Sequence, residues 1–84
     1  MIPKIVHYIW VGSNPKTQKV KDNILDWKNK LSGYQFIEWN DETFPLDQAP
    51  SYVKQAYKEK KWAFVSDYIR LWALERVGGV YLDT

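Results

Sequence analysis

The stretch WAFVSDYIRLWALERVGGVYLDT, residues 62–84, decides the fold because two glycines join a long apolar segment to a short β-rich one. Most residues from Trp62 to Val77 are apolar or aromatic, and a run of this length indicates a helix rather than a strand. Gly78-Gly79 then stops the helix. We predict a helix from Trp62 to Val77 that is buried on most sides, followed by a strand from Val80 to Leu82.

An earlier strand and helix are indicated near the N-terminus. The segment from Lys4 to Val11 is rich in β-branched and aromatic residues, which predicts a strand covered on both faces. The segment Ser13-Asn14-Pro15 is expected to provide the N-cap of the next helix, followed by proline at its first position. Gly33 is expected to end that helix in the left-handed C′ position. Between them runs an apolar stripe at helical spacing: Val20, Ile24, Trp27 and Leu31.

The middle of the chain completes an alternating pattern. Tyr34 to Trp39 predicts a second strand, and Ser51 is expected to cap a short helix after it. Strand, helix, strand, helices, strand is typical of an α/β fold with right-handed crossovers. We therefore predict a single α/β domain over residues 1–84, with a parallel three-stranded sheet in the order 2-1-3 and flanking helices.

Composition excludes several classes of protein. The net charge is only +2 and the lysines are interspersed with carboxylates, which gives no field suited to nucleic acid. Cysteine is absent, so disulfides and thiolate zinc sites are excluded. No apolar run reaches the ~18 residues of a membrane span, and no signal-peptide core is present. We expect a cytoplasmic domain, with any membrane association residing in parts outside this chain.

Small and polar residues share one face of the last helix: Ala63, Ser66, Asp67 and Arg70. An Asp67–Arg70 ion pair, worth ~0.2–0.5 kcal/mol if exposed, is one explanation. The other is a polar window that binds a hydroxylated or anionic ligand. In an α/β unit the N-terminal half of this helix lies at the carboxyl edge of the sheet, where ligands bind at a switch point. Trp10 and Asp83 end strands at that edge, which favours the ligand site.

Three further polar or aromatic residues have a structural and a functional interpretation. His7 lies in the middle of the first strand and is expected to be a satisfied core histidine rather than a ligand. Asp41 follows the second strand, where a turn role is the default and contact with the ligand the alternative. Tyr81 is expected to pack beside its strand, although its position near Asp83 makes it a candidate for the site.

Both ends of the chain resemble a known family. The run Ala63-x-x-Ser66-Asp67-Tyr68-x-Arg70, followed by residues 78–84 (GGVYLDT), resembles the DXD-containing sugar-binding region of glycosyltransferase family 32. Residues 2–12 (IPKIVHYIWVG) are similar to the start of the same catalytic domain. Fungal mannosyltransferases and bacterial capsular polysaccharide transferases belong to this family, and the large glucosylating toxins have a similar core.

The resemblance implies a fold, a reaction and a cofactor. The fold would be the Rossmann-like N-terminal half of a GT-A domain. The reaction would move a sugar from a nucleotide-sugar donor to a glycan or lipid-linked acceptor hydroxyl, plausibly in capsular or cell-surface polysaccharide synthesis. Mn²⁺ or Mg²⁺ would be the metal.

The resemblance also assigns residues to the donor site. Trp10 would stack on the nucleotide base, and Asp67 and Arg70 would bind the donor sugar and its phosphate side. Asp83 would be the first carboxylate of the DXD pair and a metal ligand. The complete implied donor-binding set is Trp10, Ala63, Ser66, Asp67, Arg70, Tyr81 and Asp83. No residue of this chain matches a catalytic base.

Thr84 follows the first carboxylate of the motif, and the second is not in the sequence. We therefore expect the chain to be the N-terminal part of a transferase, truncated within the DXD motif and inactive alone. The alternative is a non-catalytic nucleotide-binding or protein-interaction module that shares the half-fold.

Overall fold

The chain alternates strands and helices along its length. A computed structural model describes residues 2–12 and 14–83. Its elements are β1 (Ile5–Trp10), α1 (Gln18–Lys30), β2 (Gln35–Asn40), a 3-10 helix (Leu46–Gln48), α2 (Ser51–Lys58), α3 (Trp62–Val77) and β3 (Val80–Tyr81). The predicted α/β class and the bounds of α3 are confirmed. Thr84 lies outside the described residues.

The sheet has three parallel strands in the order β2-β1-β3, as predicted. In the central strand, His7 is opposite Ile37 of β2 and Tyr81 of β3. Strand β3 is one residue shorter than expected, although the Leu82 N–H still donates to the His7 carbonyl at 3.0 Å. Because all strands run the same way, their carboxyl ends form one edge, which we call the carboxyl edge.

Both faces of β1 are covered, as its continuous apolar sequence predicts. On one face Ile9 packs in a core with Phe44, Val65 and Ile69. On the other face α1 lies against the sheet, and the Tyr8 and Trp27 rings meet edge-on at 6.3 Å. Helices therefore flank the sheet on both sides, which is the arrangement of a Rossmann-like half-fold.

Burial of α3 is narrower than its sequence predicts. Its buried residues are Val65, Ile69 and Ala73, which follow one another at four-residue spacing on a single stripe. Phe64 and Leu71 are 47% and 62% exposed. The expectation of burial on most sides is wrong because a three-stranded sheet and α2 cover only part of the helix circumference.

The start of α1 also differs from the prediction. The helix begins at Gln18, and the Thr17 hydroxyl accepts a hydrogen bond from the Val20 N–H at 3.2 Å. Of the segment predicted to cap and open the helix, Ser13 lies outside the described residues, and Asn14 and Pro15 both precede the helix. The Trp10 indole N–H donates to the Asn14 carbonyl at 2.6 Å, which ties the preceding loop to β1.

Two other helix ends also differ from the prediction. Helix α1 ends at Lys30 with Leu31 at its C-cap, and Gly33 is not among the glycines with positive φ. Ser51 is the first residue of α2 and makes no capping hydrogen bond; the helix starts instead on the Pro50 carbonyl, which accepts from Val53 at 3.0 Å.

Candidate functional site

Helix α3 begins at the carboxyl edge of the sheet. The Trp62 indole lies so close to Gly12, just beyond β1, that a Cβ added to this glycine would be 3.0 Å from the ring. The Gly12 N–H donates to the Asp41 carboxylate at 3.2 Å, and Asp41 also accepts from Tyr57. Asp41 therefore has the turn role expected of it, because it joins the ends of β1 and β2 to α2.

Four predicted site residues come together beside β3. The Arg70 Nη2 atom lies 3.7 Å from Asp67 Oδ1, and the guanidinium carbon lies 5.7 Å from the centre of the Tyr81 ring. The Tyr81 hydroxyl donates to Asp83 Oδ1 at 3.3 Å. These contacts run without a break from α3 to the end of β3. We call Asp67, Arg70, Tyr81 and Asp83 the α3–β3 cluster.

The ion pair of this cluster faces solvent. The Asp67 side chain is 70% exposed and that of Arg70 is 41% exposed. Exposed pairs contribute at most about 1 kcal/mol to stability, and a separation of 3.7 Å is long for a strong hydrogen bond. The pair is therefore a weak stabilising device, and most of the Arg70 donors and Asp67 lone pairs remain available to a ligand.

Electrostatics keep the Tyr81 hydroxyl protonated. Burial is the main cause, the neighbouring Asp83 carboxylate is the second, and together they raise the pKa of Tyr81 to about 12. Asp67 acts in the same direction, whereas Arg70 opposes it. At neutral pH the hydroxyl is protonated, as in any tyrosine, and it donates a hydrogen bond to Asp83 that holds this side chain beside the end of β3.

Trp10 lies on the other face of the sheet. Side chains alternate along a strand, and its neighbour Ile9 points into the core under α3, so Trp10 points toward the α1 side. There it forms one wall of a groove of about 350 Å³ that Asn14, Lys16 and Asn40 also line. The Lys16 ammonium lies 6.0 Å from the centre of the Trp10 ring. We call this feature the Trp10 groove.

Ala63 and Ser66 occupy the first two turns of α3, on the helical face that also carries the α3–β3 cluster. Ala63 is exposed and Ser66 is half-buried. Their position agrees with a surface that a ligand could cover, but their part in donor binding stays a prediction. The same holds for the other residues assigned by resemblance.

The Trp10 groove contains an ion pair that the sequence did not reveal. Lys16 Nζ and Glu38 Oε1 are 2.7 Å apart, and the Asn40 amide donates to Glu38 at 2.6 Å. Burial opposes ionisation of Glu38, but the hydrogen bonds from Lys16 and Asn40 outweigh it, so its pKa lies below the ordinary value. The available signal was Glu38, which is the one charged residue of β2.

The described residues do not complete a metal site. Within residues 2–12 and 14–83 no group of three or more His, Asp or Glu side chains surrounds a common point. Mg²⁺ needs six oxygen ligands, and Asp83 supplies one carboxylate. This part of the chain therefore fits a divalent ion only if the ligand brings most of the oxygens.

Comparisons with known proteins agree with this geometry. Residues 17–84 match the family described as the glycosyltransferase sugar-binding region containing a DXD motif. The chain is 30% identical to Subversion of eukaryotic traffic protein A of Legionella pneumophila over 109 aligned positions, which cover 99% of this chain and 17% of that protein. It is 36% identical to Toxin Afp18 of Yersinia ruckeri over 72 positions, which cover 80% of this chain and 3% of that toxin. No solved structure matches significantly.

The match places the chain in a protein class. The chain spans about a sixth of the length of the Legionella protein and a far smaller share of the Yersinia toxin. Among the described residues no helix is both long and apolar enough to span a bilayer. The family model covers most of the sequence, including α3 and β3. The chain therefore belongs to the family of DXD-containing glycosyltransferase sugar-binding regions.

Proposed function

We propose that this chain is the donor-binding portion of a glycosyltransferase that moves a sugar from a nucleoside diphosphate to an acceptor hydroxyl. The observation that carries the proposal is the α3–β3 cluster, in which Asp67 and Arg70 of α3 meet Tyr81 of β3 and Asp83 just beyond it. The last helix and the segment that follows it thus bring a cation, two carboxylates and a hydroxyl to one place that solvent can reach.

The chemistry of Arg70 suits the diphosphate. Its planar guanidinium donates pairs of hydrogen bonds to phosphate oxygens, and the Tyr81 ring beneath it restricts its orientation. Asp67 is acceptor-only when ionised, so its free oxygens suit sugar hydroxyls. The pair therefore supplies one group for each half of a nucleotide sugar.

The Trp10 groove suits the nucleotide base. The indole N–H is held by the Asn14 carbonyl, which fixes the ring before any ligand arrives. Stacking of a base on an aromatic ring is worth about 1–3 kcal/mol. The groove and the α3–β3 cluster lie on opposite faces of the sheet, so a donor that used both would cross its carboxyl edge.

A divalent ion, Mn²⁺ or Mg²⁺, completes the proposal. Asp83 would supply one oxygen ligand and the diphosphate most of the others. When bound, such an ion neutralises charge on the leaving nucleotide. The roles assigned to this chain are to bind and orient the donor.

The acceptor is the least constrained part. The family resemblance suggests a capsular, cell-surface or lipid-linked glycan. The two relatives, one named a toxin and the other named for subversion of eukaryotic traffic, favour a hydroxyl on a host-cell component instead. Either acceptor is compatible with action in a cytoplasm.

A non-catalytic binding module is the second candidate function. The Trp10 ring and the Arg70 guanidinium would be sufficient to hold a nucleoside diphosphate, which favours it. Such a module would bind a nucleoside diphosphate without cleaving any sugar from it, whereas the donor-binding portion of an enzyme should prefer the sugar-linked form.

Affinity measurements with matched arginine variants test the proposal. Arg70 and Arg76 both lie on α3, and each guanidinium stacks over an aromatic ring, at 5.7 Å for Tyr81 and 5.2 Å for Trp72. Calorimetric titration with UDP-glucose and with GDP-mannose in Mg²⁺ should show a dissociation constant at least tenfold higher for Arg70→Ala than for the wild type. Arg76→Ala should bind like the wild type. Equal losses in both variants, or no binding of either donor by the wild type at millimolar concentration, would contradict the proposal.

A further inference from the structure

His7 is a fully buried polar residue at the centre of the sheet, with 0% of its surface exposed. Both ring nitrogens have partners. Nδ1 lies 3.0 Å from the indole nitrogen of Trp39, and Nε2 lies 2.7 Å from the carbonyl oxygen of Gly78. As the sequence predicted, it is a satisfied core histidine. Its two partners lie on opposite sides of β1, because Trp39 belongs to β2 and Gly78 directly precedes the loop into β3.

The partners fix which nitrogen carries the hydrogen. An indole N–H can only donate, so Nδ1 of His7 must accept from Trp39. A carbonyl oxygen can only accept, so the hydrogen is on Nε2 and is donated to Gly78. A single tautomer therefore satisfies both contacts, and an apolar side chain could satisfy neither.

His7 holds β3 at both of its ends. Its ring binds the Gly78 carbonyl, two residues before β3, and its own carbonyl accepts from the Leu82 N–H at 3.0 Å, one residue after β3. Tyr81 is its direct partner in the β1–β3 register. Since β3 pairs with β1 through only two residues, the ring contact adds an anchor directly before the strand.

The anchored strand carries half of the α3–β3 cluster. Tyr81 and Asp83 follow Gly78 by three and five residues. Arg70 contacts the Tyr81 ring from α3, and Tyr81 in turn donates to Asp83. A shift of the Gly78 loop would move Tyr81 away from the Arg70 guanidinium and would also loosen the end of α3, where the Gly78 N–H donates to the Leu74 carbonyl at 2.9 Å. The distance between the two halves of the cluster thus depends on the His7–Gly78 hydrogen bond.

We propose that His7 is a positioning residue, whose Nε2–H···O=C bond to Gly78 sets Tyr81 and Asp83 against Arg70 for donor binding. The part of this inference that concerns ligand affinity rests on the proposed donor-binding function. The other part, that the His7–Gly78 hydrogen bond sets the spacing of the cluster, can be tested with no ligand present.

Two variants separate the two hydrogen bonds of the ring. The amide nitrogen of His7→Gln can replace Nε2 and donate to Gly78, but nothing accepts from Trp39. The amide oxygen of His7→Asn can replace Nδ1 and accept from Trp39, but the shorter side chain does not reach Gly78. Each variant strands one buried polar group, so both should lose similar stability.

Their ligand affinity should differ. With UDP or GDP in Mg²⁺ as the probe, whichever binds the wild type more tightly, His7→Asn should weaken binding at least fivefold more than His7→Gln. Trp39→Phe, which removes the donor to Nδ1 and leaves the Gly78 bond, should also retain affinity. Equal affinity in the two His7 variants at equal stability would overturn the proposal.

Ligand-free NMR of the same proteins keeps this test independent of the proposed function. The ¹⁵N shifts of His7 in the wild type should show the hydrogen on Nε2, and a hydrogen on Nδ1 would overturn the inference even if no variant folds. The amide signals of Tyr81 and Asp83 should move in His7→Asn and stay in place in His7→Gln. If the wild type binds no nucleotide while these shifts follow the prediction, the donor-binding function fails and the positioning role stands.

Discussion

The Arg70 guanidinium lies 5.7 Å from the centre of the Tyr81 ring, and this contact joins helix α3 to strand β3. A cation over an exposed aromatic ring contributes about 0.5–1 kcal/mol. The larger effect of this contact is geometric, because it places the Arg70 guanidinium over the tyrosine whose hydroxyl binds Asp83. The proposed donor site depends on this arrangement.

The first prediction concerns Asp67→Asn, which removes one charge from the cluster and keeps its shape. Because Asp67 is 70% exposed, the free energy of unfolding should change by less than about 1 kcal/mol, while affinity for a nucleotide sugar should fall. Urea unfolding and calorimetry measure the two quantities.

The matched control for this variant is Asp26→Asn on α1. Asp26 pairs with Lys30 at 3.0 Å and is also mostly exposed. It should show an equally small stability change and no loss of affinity. A loss of about 3 kcal/mol or more in Asp67→Asn would instead indicate an ion pair that is buried in solution.

The second prediction concerns ionisation of Tyr81. Its pKa is raised to about 12 in the folded chain, against about 10 in an unfolded one. The unfolded state therefore loses this proton first, so the contribution of Tyr81 to stability is full below about pH 10 and is lost as the pH rises to about 12.

Asp83→Asn should lower the pKa of Tyr81 but leave it above the unfolded value, since burial is the larger cause. Tyrosine ring ¹³C shifts across a pH titration would show this. Glu38→Gln is the control, because Glu38 acts on Tyr8. An unchanged Tyr81 titration in Asp83→Asn would mean that the two side chains are not in contact.

The third prediction compares two glycines. Gly79 has φ +99°, and a Cβ there would collide with the Ile5 carbonyl oxygen, whereas nothing lies within 4 Å of a Cβ at Gly33. Gly79→Ala should therefore lower the free energy of unfolding by at least about 2 kcal/mol. Gly33→Ala should change it by less than about 1 kcal/mol. Thermal unfolding of both variants checks this, and similar midpoints would show that β3 does not pack on β1 as described.

The sequence predicted the sheet well because its strongest signals are local and periodic. The apolar run of β1 and the glycines before β3 leave few alternatives for strand order. Helix starts were less predictable, since several residues before α1 have side chains suited to capping, and the residue that accepts the hydrogen bond is Thr17. Apolar composition likewise does not reveal which side of α3 is covered, and Leu71 faces solvent.

The candidate site was predictable to a similar degree. The spacing of Asp67 and Arg70 on one helical face is local, and the strand order then brings α3 beside β3. The Lys16–Glu38 pair and the partners of His7 were not predictable in this way. They depend on the register between β1 and its neighbours, which the sequence pattern alone does not determine.

The fourth prediction concerns metal affinity. Because Asp83 is a single exposed carboxylate without other ligands grouped around it in the described chain, Mn²⁺ alone should bind this protein no more tightly than about millimolar. Addition of UDP should tighten the apparent affinity, since its diphosphate supplies further oxygens. Calorimetric titration with and without UDP tests both statements, and micromolar binding of Mn²⁺ alone would show a metal site that this account omits.

The most direct test is an NMR map of where a donor binds. When the ¹⁵N-labelled chain is titrated with UDP-glucose or GDP-mannose in Mg²⁺, donor binding at the carboxyl edge predicts chemical-shift changes at three places. These are the Trp10 indole N–H, the Arg70 side-chain N–H and the Asp83 amide, whereas the Arg76 side chain should remain unchanged. Shifts confined to other surfaces, such as the exposed Tyr52–Phe64 pair, would contradict donor binding at the carboxyl edge.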